Sequence, residues 1–436
     1  MKKMKKQQSN FFFKNKIEIS RRTLLFSSAA SLIPASINAE SIKEGSPSWM
    51  TTPGKTFSEY GVPAQQEVNT KRKIFQPYKE YAPGTGASMT PLEKLEGIIT
   101  PNGLHFERSH NGIPAIDPLQ HELLIHGLVE RPLVFKTEDL LKYPMKTKTY
   151  FIECAGNSFY NSNAFPIAID RTCGTIHGLM STSEWTGIPL KIILNEVGIK
   201  KEAKWILAEG SDASAMSRSI PLEKALDDTL IALYQNGERI RPEQGYPMRL
   251  VVPGWEGNIS IKWLRRIKVT KKPTYTKDET SKYSDLLTNG KTLQFTFPME
   301  VKSVITHPTA GPVPLKKGPV HITGLAWSGL GNIKKVEVST DKGKTWNIAK
   351  IEGSNQPLSP VRFRYNWMWN GEECSLQSRA TDSKSNTQPQ RSIWSVKYGL
   401  GHLYHNNSIQ IWRITAKGKI LNEYDDVAQS STWSEK

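Results

Sequence analysis

One cysteine, Cys154, stands in a segment whose neighbours would present its sulfur to a metal. The segment is FIECAGN, residues 151–157. Its apolar first half is typical of a strand, and its Ala-Gly-Asn end is typical of a turn where backbone can approach a ligand closely. A thiolate suits soft or high-valent metals, and no CxxC or HxxxH pattern accompanies it, which argues against zinc. Taken alone, the segment fits an inert buried thiol equally well.

Three further segments accompany this one in a definite order. They are HFERSHNGIPAID (105–117), GLMSTSEWTGIPL (178–190) and GYPMRLVVPGWEGNISIKWL (245–264). In this order and at these spacings, the four segments resemble those of the sulfite oxidase family of molybdenum-cofactor enzymes. The resemblance covers roughly residues 90–400. Within the family, HGL at 177–179 and EWTG at 184–187 are most similar to the molybdenum subunit of sulfane dehydrogenase, the SoxC-type branch of thiosulfate oxidation.

The resemblance implies a molybdopterin cofactor, a pterin whose dithiolene holds the metal and which carries a phosphate tail. Cys154 matches the family's metal ligand. Arg249 and Lys262 match positions that hold the phosphate or the pterin, and an arginine fork with a lysine point charge suits that task, although each could simply end a strand. His110 matches a pterin contact, and Gln244 stands where many relatives have histidine. Tungsten would satisfy the same thiolate.

The resemblance also implies three catalytic residues. Arg108 matches the arginine that in the family points at the metal-bound oxygen and the anionic substrate. Arg362, in VRFRYNWMW, is expected to reach the same pocket from the second domain, with Arg364 as the alternative register. Tyr283, in TSKYSD, matches the family's active-site tyrosine, which would donate a hydrogen bond to the oxo group and influence product release.

The chain departs from the family pattern directly after the AGN. Enzymes that act on free sulfite typically have two arginines there, and this chain has Ser158 and Phe159. A pocket with less positive charge and an aromatic wall would bind a small dianion less tightly, because charged hydrogen bonds contribute about 1.5–3 kcal/mol each. The departure therefore favours sulfur carried on a protein as a persulfide. His177 is a further candidate contact, with a purely structural histidine as the alternative.

Three functions follow from these residues. The leading hypothesis is a periplasmic molybdenum oxidoreductase that oxidises protein-bound sulfane sulfur in thiosulfate oxidation. No CxxCH haem motif occurs, so electrons are expected to pass to a separate cytochrome c, in a homodimer or a heterotetramer with that cytochrome. One alternative is a dehydrogenase for free sulfite. Another is a cofactor-free exported protein that binds polyanions or an acidic partner.

The elements that would position these residues form two folded domains, because 436 residues exceed what one core usually supports. Short apolar strands such as HELLIHGLV and TYFIECA with brief helices predict an α+β fold. Alternating strands later in the chain, with a hairpin turn at Asp341-Lys342-Gly343, predict an immunoglobulin-like β-sandwich. In the resembled family that sandwich forms the homodimer contact. The predicted divisions are an extended arm at 40–89, a molybdopterin-binding domain at 90–272, a polar linker at 273–294, a dimerisation domain at 295–405 and a C-terminal extension at 406–436.

The amino terminus has the features of a twin-arginine export signal. Lysines crowd the first sixteen residues, SRRTLL follows at 20–25, and a short apolar stretch ends before a small-residue site near Ala39. The stretch is too short to remain as a membrane span. We therefore expect a signal at 1–39 and a periplasmic mature protein without a membrane span, against the alternative of a disordered basic tail. Export of folded protein suits a cofactor inserted in the cytoplasm.

Charge and cysteine content narrow the class of protein. Residues 1–39 hold eight basic residues and one acid, so their removal lowers the net charge from +17 to +10. The remaining basic residues are scattered and show no nucleic-acid motif, which makes nucleic acid a poor candidate partner. A basic face could instead steer anionic substrates or an acidic protein. Three cysteines give no disulfide framework, and we expect Cys173 and Cys374 to be buried free thiols, although they could pair.

Overall fold

The structure is a computed structural model that describes residues 47–77, 79–162 and 169–424. The export signal predicted at 1–39 and the last residues of the C-terminal extension lie outside the described residues. The chain divides into two compact units, Met1–Pro63 and Ala64–Lys436. The described part of the first unit holds a short helix, α1 (Ser48–Thr51). All further elements described below belong to the second unit.

Thirteen strands form the first half of the second unit. They are β1 (Lys73–Phe75), β2 (Gly86–Met89), β3 (Glu107–Ser109), β4 (Glu122–Gly127), β5 (Leu133–Lys136), β6 (Lys146–Glu153), β7 (Met180–Pro189), β8 (Trp205–Gly210), β9 (Ser217–Pro221), β10 (Leu230–Gln235), β11 (Glu238–Arg239), β12 (Arg249–Val251) and β13 (Leu264–Thr270), as found in the described part of the chain. They make three sheets with the orders β1-β2-β3, β11-β10-β7-β6 with β12 on β10, and β5-β4-β13-β8-β9. Most pairs are antiparallel, and β4 with β13 is parallel.

Helices are short throughout and mostly follow strands. Those of the second unit are α2 (Thr137–Leu140), α3 (Cys173–His177), α4 (Leu190–Val197), α5 (Leu222–Asp227), α6 (Lys277–Thr280) and α7 (Arg391–Tyr398) among the described residues. Single 3₁₀ turns occur at Gln65–Glu67, Leu92–Lys94, Asn102–Leu104, Phe159–Ser162, Pro242–Gln244 and Gly257–Ile259.

Strand β6 carries the FIECAGN segment from solvent into the interior. Its first residues are exposed lysines and threonines, and its last four, from Tyr150 to Glu153, are buried. It pairs antiparallel with β7, with Glu153 opposite Met180. The charged start keeps one end of the strand at the surface, so the apolar run delivers Cys154 to a buried position at the other end.

The second half of this unit is a β-sandwich. Its strands are β14 (Asp285–Leu286), β15 (Thr292–Leu293), β16 (Lys302–His307), β17 (Gly318–Trp327), β18 (Ile333–Ser339), β19 (Asn347–Ile348), β20 (Lys350–Glu352), β21 (Val361–Trp369), β22 (Cys374–Asp382), β23 (Ile411–Ile414) and β24 (Ile420–Glu423). Strands β14 and β15 form a separate hairpin, and the sandwich sheets have the orders β16-β17-β21-β20 and β19-β18-β22-β23-β24. The predicted fold class, an α+β domain followed by a β-sandwich, is confirmed. The predicted turn at Asp341-Lys342-Gly343 connects β18 to β19, with Lys342 and Gly343 at positive φ.

An apolar core runs through both halves. One cluster of buried residues joins Met89 and Phe151 of the first half to Trp327, Phe363 and Trp412 of the sandwich. A second cluster lies within the first half, around α4, β4, β8 and β13. The β6 strand end therefore packs against both halves of the unit.

Residues 273–294, predicted as a polar linker, form α6 and the β14–β15 hairpin. Asp278, Glu279 and Tyr283 are buried there, and the Glu279 carboxylate accepts a hydrogen bond from Arg218 Nε at 2.9 Å. Ion pairing explains why a polar sequence is buried. The three cysteines are free thiols, and Cys374 is half-buried, in contrast to the buried position predicted for it. Across the described ranges, no helix is long and apolar enough to cross a membrane.

Candidate active site

A cavity beside Cys154 collects most of the predicted site residues. It encloses about 660 Å³ including its open mouth. Of the predicted residues, it is lined by Arg108, His110, Cys154, Gln244, Arg249, Lys262 and Tyr283. The other lining residues are His105, Phe106, Glu107, Ser109, Ile152, Asp212, Met216, Gly257, Asn258, Ser260, Ile261 and Trp263.

The Cys154 sulfur is presented by a turn that is fixed on both sides. The Cys154 amide donates to Leu179 O at 2.9 Å, and the Asn157 amide donates to Cys154 O at 2.8 Å. Burial raises the pKa of the Cys154 thiol, and the nearby charge of Arg108 opposes that rise. The thiol is therefore protonated at neutral pH in the absence of a metal, and a bound cation would be needed to keep the thiolate.

A buried carboxylate next to Cys154 connects this turn to the sandwich. Glu153 Oε1 accepts from Lys302 Nζ at 2.6 Å and from Asn157 Nδ2 at 2.9 Å. Glu153 Oε2 accepts from Trp327 Nε1 at 2.6 Å. Because Lys302 lies on β16 and Trp327 on β17, the sandwich fixes the position of the metal-ligand turn.

A buried arginine, Arg249, and a half-buried lysine, Lys262, line the cavity, and neither has a carboxylate partner in the part of the chain that the structure describes. Arg249 donates from Nη1 to Gln244 O and from Nη2 to Ser260 O, each at 2.9 Å. Lys262 Nζ donates to Glu243 O at 2.9 Å. Burial lowers the pKa of Arg249 to about 9, and burial together with Arg249 lowers the pKa of Lys262 to about 7. Buried charges are normally compensated, so the pair is the electrostatic complement of an anionic group such as a phosphate.

Neutral polar groups complete this end of the cavity. His105, which was missed from the sequence, is buried, and its Nε2 has no hydrogen-bond partner among the described residues. Burial lowers the pKa of His105 to about 3, so it is neutral. Gln244 Nε2 donates to Phe106 O at 2.9 Å. The spacing of the two histidines in HFERSH could have identified His105, since both end up on the cavity wall.

Tyr283 and His110 form a hydrogen-bonded pair at the same cavity. Tyr283 Oη lies 3.2 Å from His110 Nε2. Burial raises the pKa of the Tyr283 phenol and lowers the pKa of His110 to about 2, so both are neutral and the phenol keeps its proton. Tyr283 has a φ of 38°, a strained backbone conformation for a non-glycine residue that is often found at functional sites. Arg108 lies beside the pair and donates from Nη1 to Gly86 O at 3.2 Å.

The structure does not bring Arg362 to this cavity, contrary to our expectation. Its Nε donates to Gly97 O at 2.8 Å and its Nη1 to Thr323 Oγ1 at 3.1 Å. Arg364 pairs with Glu352 at 2.8 Å and is also elsewhere. The side of β21 that carries Arg362 faces the segment around Gly97. The Arg362 guanidinium therefore links the two halves of the unit and does not reach the cavity.

The residues after the AGN also lie off the cavity wall. Phe159 is buried against Phe75 and Tyr160, at ring-centroid distances of 5.5 and 4.2 Å. It therefore does not form the aromatic wall expected of it. The Ser158 hydroxyl lies 2.8 Å from His177 Nδ1, behind the Cys154 turn. Burial lowers the pKa of His177 to about 3, and this placement favours the structural alternative for that residue.

A buried ionic network, not foreseen from the sequence, supports the opposite side of the cavity. Glu256 accepts from Arg218 Nη1 at 3.1 Å and from His405 Nε2 at 2.8 Å. His405 Nδ1 lies 3.0 Å from Glu300. The two carboxylates raise the pKa of His405 well above its usual value although burial opposes them, and Arg218 is the main partner that lowers the pKa of Glu256 to about 2. The guanidinium of Arg218 also lies over the ring of Tyr283, with its carbon 5.0 Å from the ring centroid.

The cavity residues fit a molybdopterin cofactor. The two unpaired cations suit its phosphate, the unpartnered His105 nitrogen suits a polar pterin edge, and Cys154 provides a sulfur ligand. Within the described ranges, no group of three or more histidine, cysteine, aspartate or glutamate side chains could hold a metal. A metal here would need ligands from a cofactor in addition to Cys154.

Comparisons with known proteins agree with this site. Residues 110–277 match the model of the oxidoreductase molybdopterin binding domain, and residues 294–412 match that of the Mo-co oxidoreductase dimerisation domain. The structure of the sulfane dehydrogenase SoxCD from Paracoccus pantotrophus aligns with a TM-score of 0.83 and 42% identity, covering 87% of this chain and 97% of that chain.

Curated relatives are similar over the same region. A tomato (Solanum lycopersicum) NADH nitrate reductase is 31% identical over 356 residues, which is 71% of this chain and 38% of that protein. The mitochondrial sulfite oxidase of Mus musculus is 31% identical over 350 residues, which is 74% of this chain and 63% of that protein. The match thus spans less than two thirds of the length of each.

Proposed function

Since the chain belongs to the sulfite oxidase family of molybdenum-cofactor oxidoreductases, we propose that it oxidises the outer, sulfane sulfur of a cysteine persulfide on a carrier protein. The cavity that combines Cys154 with the unpaired Arg249 and Lys262 carries this proposal. The cavity is partly enclosed and open to solvent, so a substrate can enter it. The SoxCD similarity, which covers almost all of that chain, supports the sulfane substrate.

The chain's own residues divide into a holding set and a reacting set. Cys154 would bind the metal, Arg249 and Lys262 the phosphate, and Gln244 with His105 the polar edge of the pterin. When bound, the molybdenum cofactor supplies the two-electron oxidation of sulfur. Burial of Arg249 keeps water from screening its charge, so its contact with an anion is stronger than it would be at the surface.

The reacting set is Arg108, Tyr283 and His110. The guanidinium of Arg108 would attract and orient the negatively charged sulfur. The Tyr283 phenol keeps its proton because its pKa is raised. In the His110 tautomer with the proton on Nε2, His110 donates to the phenol oxygen and holds it in place, so the phenol can donate its own hydrogen bond into the cavity. Neither His110 nor Tyr283 adds charge at neutral pH.

The charge near Cys154 supports a persulfide over free sulfite. A persulfide anion carries one negative charge and sulfite carries two. Arg362 lies elsewhere, and neither Ser158 nor Phe159 supplies a cation to the wall, which leaves Arg108 as the arginine near Cys154 among the described cavity residues. One guanidinium matches one charge. Free sulfite oxidation is the second candidate, because mouse sulfite oxidase is similar over 74% of this chain.

We further propose export by the twin-arginine route to the periplasm, with a separate cytochrome c as electron acceptor. The SRRTLL motif supports the route, and the lack of a CxxCH motif in this chain supports a separate haem protein. The match to the dimerisation-domain model supports a homodimer or a heterotetramer with the cytochrome.

Steady-state assays of the holoenzyme test the substrate. We expect a higher kcat/KM for carrier persulfide than for sulfite, with ferricyanide as a common acceptor. Faster turnover of sulfite would contradict the sulfane proposal and favour the second candidate. Metal analysis of the purified protein tests both against the cofactor-free alternative, since that protein would contain neither molybdenum nor tungsten.

A further inference from the structure

Two segments, 281–293 and 391–404, form one face next to the cavity. Thr288 Oγ1 donates to Val396 O at 2.9 Å and so joins the two segments, and His402 Nε2 lies 3.0 Å from the Asp285 carboxylate. Large apolar side chains are exposed on them. We call this set the exit face: Leu286 (63% exposed), Ile393 (64%), Val396 (73%) and Leu403 (39%).

The exit face is anchored directly on the turn that carries the metal ligand. His405 N donates to Ala155 O at 3.0 Å. A Cβ built on Gly156 would lie 3.7 Å from Leu403 O and 4.0 Å from Cys154 Sγ. Only one layer of residues therefore separates the exposed Leu403 from the ligand sulfur.

Aromatic rings fill the space between the cavity and the exit face. Starting at Tyr283 on the cavity wall, the ring centroids are 5.4 Å apart to Tyr404, then 6.1 Å to His402, 5.0 Å to Tyr398 and 5.6 Å to Trp394. The His402 and Tyr398 rings are stacked, with an angle of 14°. Electron tunnelling weakens steeply with distance. An acceptor docked on the exit face would thus be reached from the buried site through a short, closely packed path.

The exposed charges of the two segments are mainly positive. Lys282, Lys291 and Lys397 are the basic residues of the two segments that are not buried, whereas Arg391 is buried and donates to Asn161 O at 2.7 Å. Asp285, the acid of these segments, is buried beside His402 and is not exposed at the surface. The nearby Glu300 is bonded to Tyr398 and His405. An apolar centre with a basic rim is the complement of a partner with an apolar contact zone and an acidic rim.

We propose that the exit face is the docking surface for the electron acceptor, an acidic c-type cytochrome with an exposed haem edge. This inference rests on the proposed function. Oxidation of a persulfide with the oxygen of one water releases two protons and two electrons. Each haem iron takes one electron in going from Fe(III) to Fe(II), so two haems or two encounters complete a turnover, and the protons leave to solvent.

Binding measurements on surface variants test the docking surface. The probe is an oxidised, acidic bacterial cytochrome c at low ionic strength, with the basic mitochondrial cytochrome c as the charge control. Ile393→Glu/Val396→Glu should raise the Kd for the acidic cytochrome by about tenfold or more, because it adds two like charges to the contact. The matched control is Val134→Glu, an equally apolar position on β5 that is 52% exposed, which should change the Kd less than about twofold. Lys397→Glu should weaken binding as well.

Two further readouts separate docking from catalysis and from folding. Cofactor-free protein should show the same order of affinities, because the exit face is made by the chain itself. Persulfide oxidation with ferricyanide should be unchanged in Ile393→Glu/Val396→Glu, which confirms an intact site. If the wild type oxidises no sulfur compound with ferricyanide, the proposed function fails, whereas the docking inference is still decided by the Kd values.

Three results would overturn the docking inference. Equal Kd values for the exit-face variant and Val134→Glu would place the contact elsewhere. Equal affinity of the wild type for the acidic and basic cytochromes would remove the charge argument. A change in the protein's own oligomeric mass on Ile393→Glu/Val396→Glu would show that a second copy of the chain covers the face.

Discussion

Two positively charged side chains in the cavity wall lie side by side, and no compensating negative charge pairs with either among the described residues. Buried Arg249 and half-buried Lys262 lie close together, and their hydrogen-bond partners are carbonyl oxygens and the Ser109 hydroxyl. Burial lowers the pKa of both groups, and the charge of Arg249 lowers that of Lys262 further. A protein tolerates such a pair when a bound anion compensates it. The two uncompensated cations therefore lower the free energy of unfolding of the cofactor-free protein, and a bound anionic cofactor would offset that loss.

The lowered pKa of Lys262 makes the stability of the cofactor-free protein rise with pH. The pKa of Lys262 in the folded protein, about 7, is below its ordinary value of 10.5, so the unfolded chain binds more protons between those two values. Cofactor-free protein should therefore gain stability through Lys262 as the pH rises from about 7 to about 10, by at most about 1.4 kcal/mol per pH unit.

Lys262→Met is the matched variant for this effect. Urea unfolding of the cofactor-free wild type and variant should show a free-energy difference that shifts in favour of the wild type as the pH rises. A difference that is flat with pH would mean that Lys262 keeps an ordinary pKa in the folded state.

Cys154→Ser tests the metal ligand. The oxygen is close in size to the sulfur and the turn is held by backbone hydrogen bonds, so we expect unfolding within about 1 kcal/mol of the wild type. Bound molybdenum and turnover should both be lost or strongly reduced, as measured by metal analysis and the ferricyanide assay. Full activity with normal metal content would exclude Cys154 as the ligand.

The sequence predicted these residues to different degrees. Cys154, Arg249, Lys262 and His110 lie in local motifs, and all of them line the cavity. Arg362 was misplaced because the resemblance assigned it from its place in VRFRYNWMW, and a position on a strand of the second domain does not show which segment the side chain meets after folding.

The supporting network was not predictable for a related reason. Arg218, Glu256 and His405 are far apart in the chain, and each alone is an ordinary charged residue. Their mutual compensation exists only after folding, when burial makes an isolated charge costly.

Among the elements, β6 and β16 act together on the active site. Lys302 of β16 is 2% exposed and pairs with the fully buried Glu153, the residue before Cys154. Lys302→Met should destabilise the protein by about 3–5 kcal/mol, since it leaves a buried carboxylate without its partner. Chemical denaturation measures the loss.

The control for Lys302→Met is a double variant. Glu153→Gln removes the charge that Lys302 compensates, so Glu153→Gln/Lys302→Met should recover part of the lost stability. If the double variant is as unstable as the sum of the two single variants, the ion pair is not the cause.

Elements with local signals were predicted better than those with distant partners. The β6 strand, the sandwich strands and the turn at Asp341 follow from alternation and turn residues. Residues 273–294 were predicted as a linker because they are polar, yet α6 lies there and Asp278 and Glu279 are buried. A polar segment is exposed only if its charged side chains find no partner in the interior. Here Glu279 is buried because it pairs with Arg218.

For the whole molecule, the route to its compartment can be tested separately from its chemistry. Replacing Arg21 and Arg22 by lysine should stop export of the folded chain and leave cofactor-loaded enzyme in the cytoplasm. Fractionation with metal analysis of each fraction measures this. Normal periplasmic yield of the variant would contradict the twin-arginine proposal.

The apolar core that joins Met89 and Phe151 to Trp327 and Trp412 has a consequence for how such proteins diversify. A gene fusion that moved only one of the two domains would expose half of the shared core. Recombination can add modules to the ends of the pair. The tomato nitrate reductase matches over 38% of its length, so the rest of that protein lies outside the shared region. We therefore expect a fragment cut near residue 294 to aggregate when expressed alone.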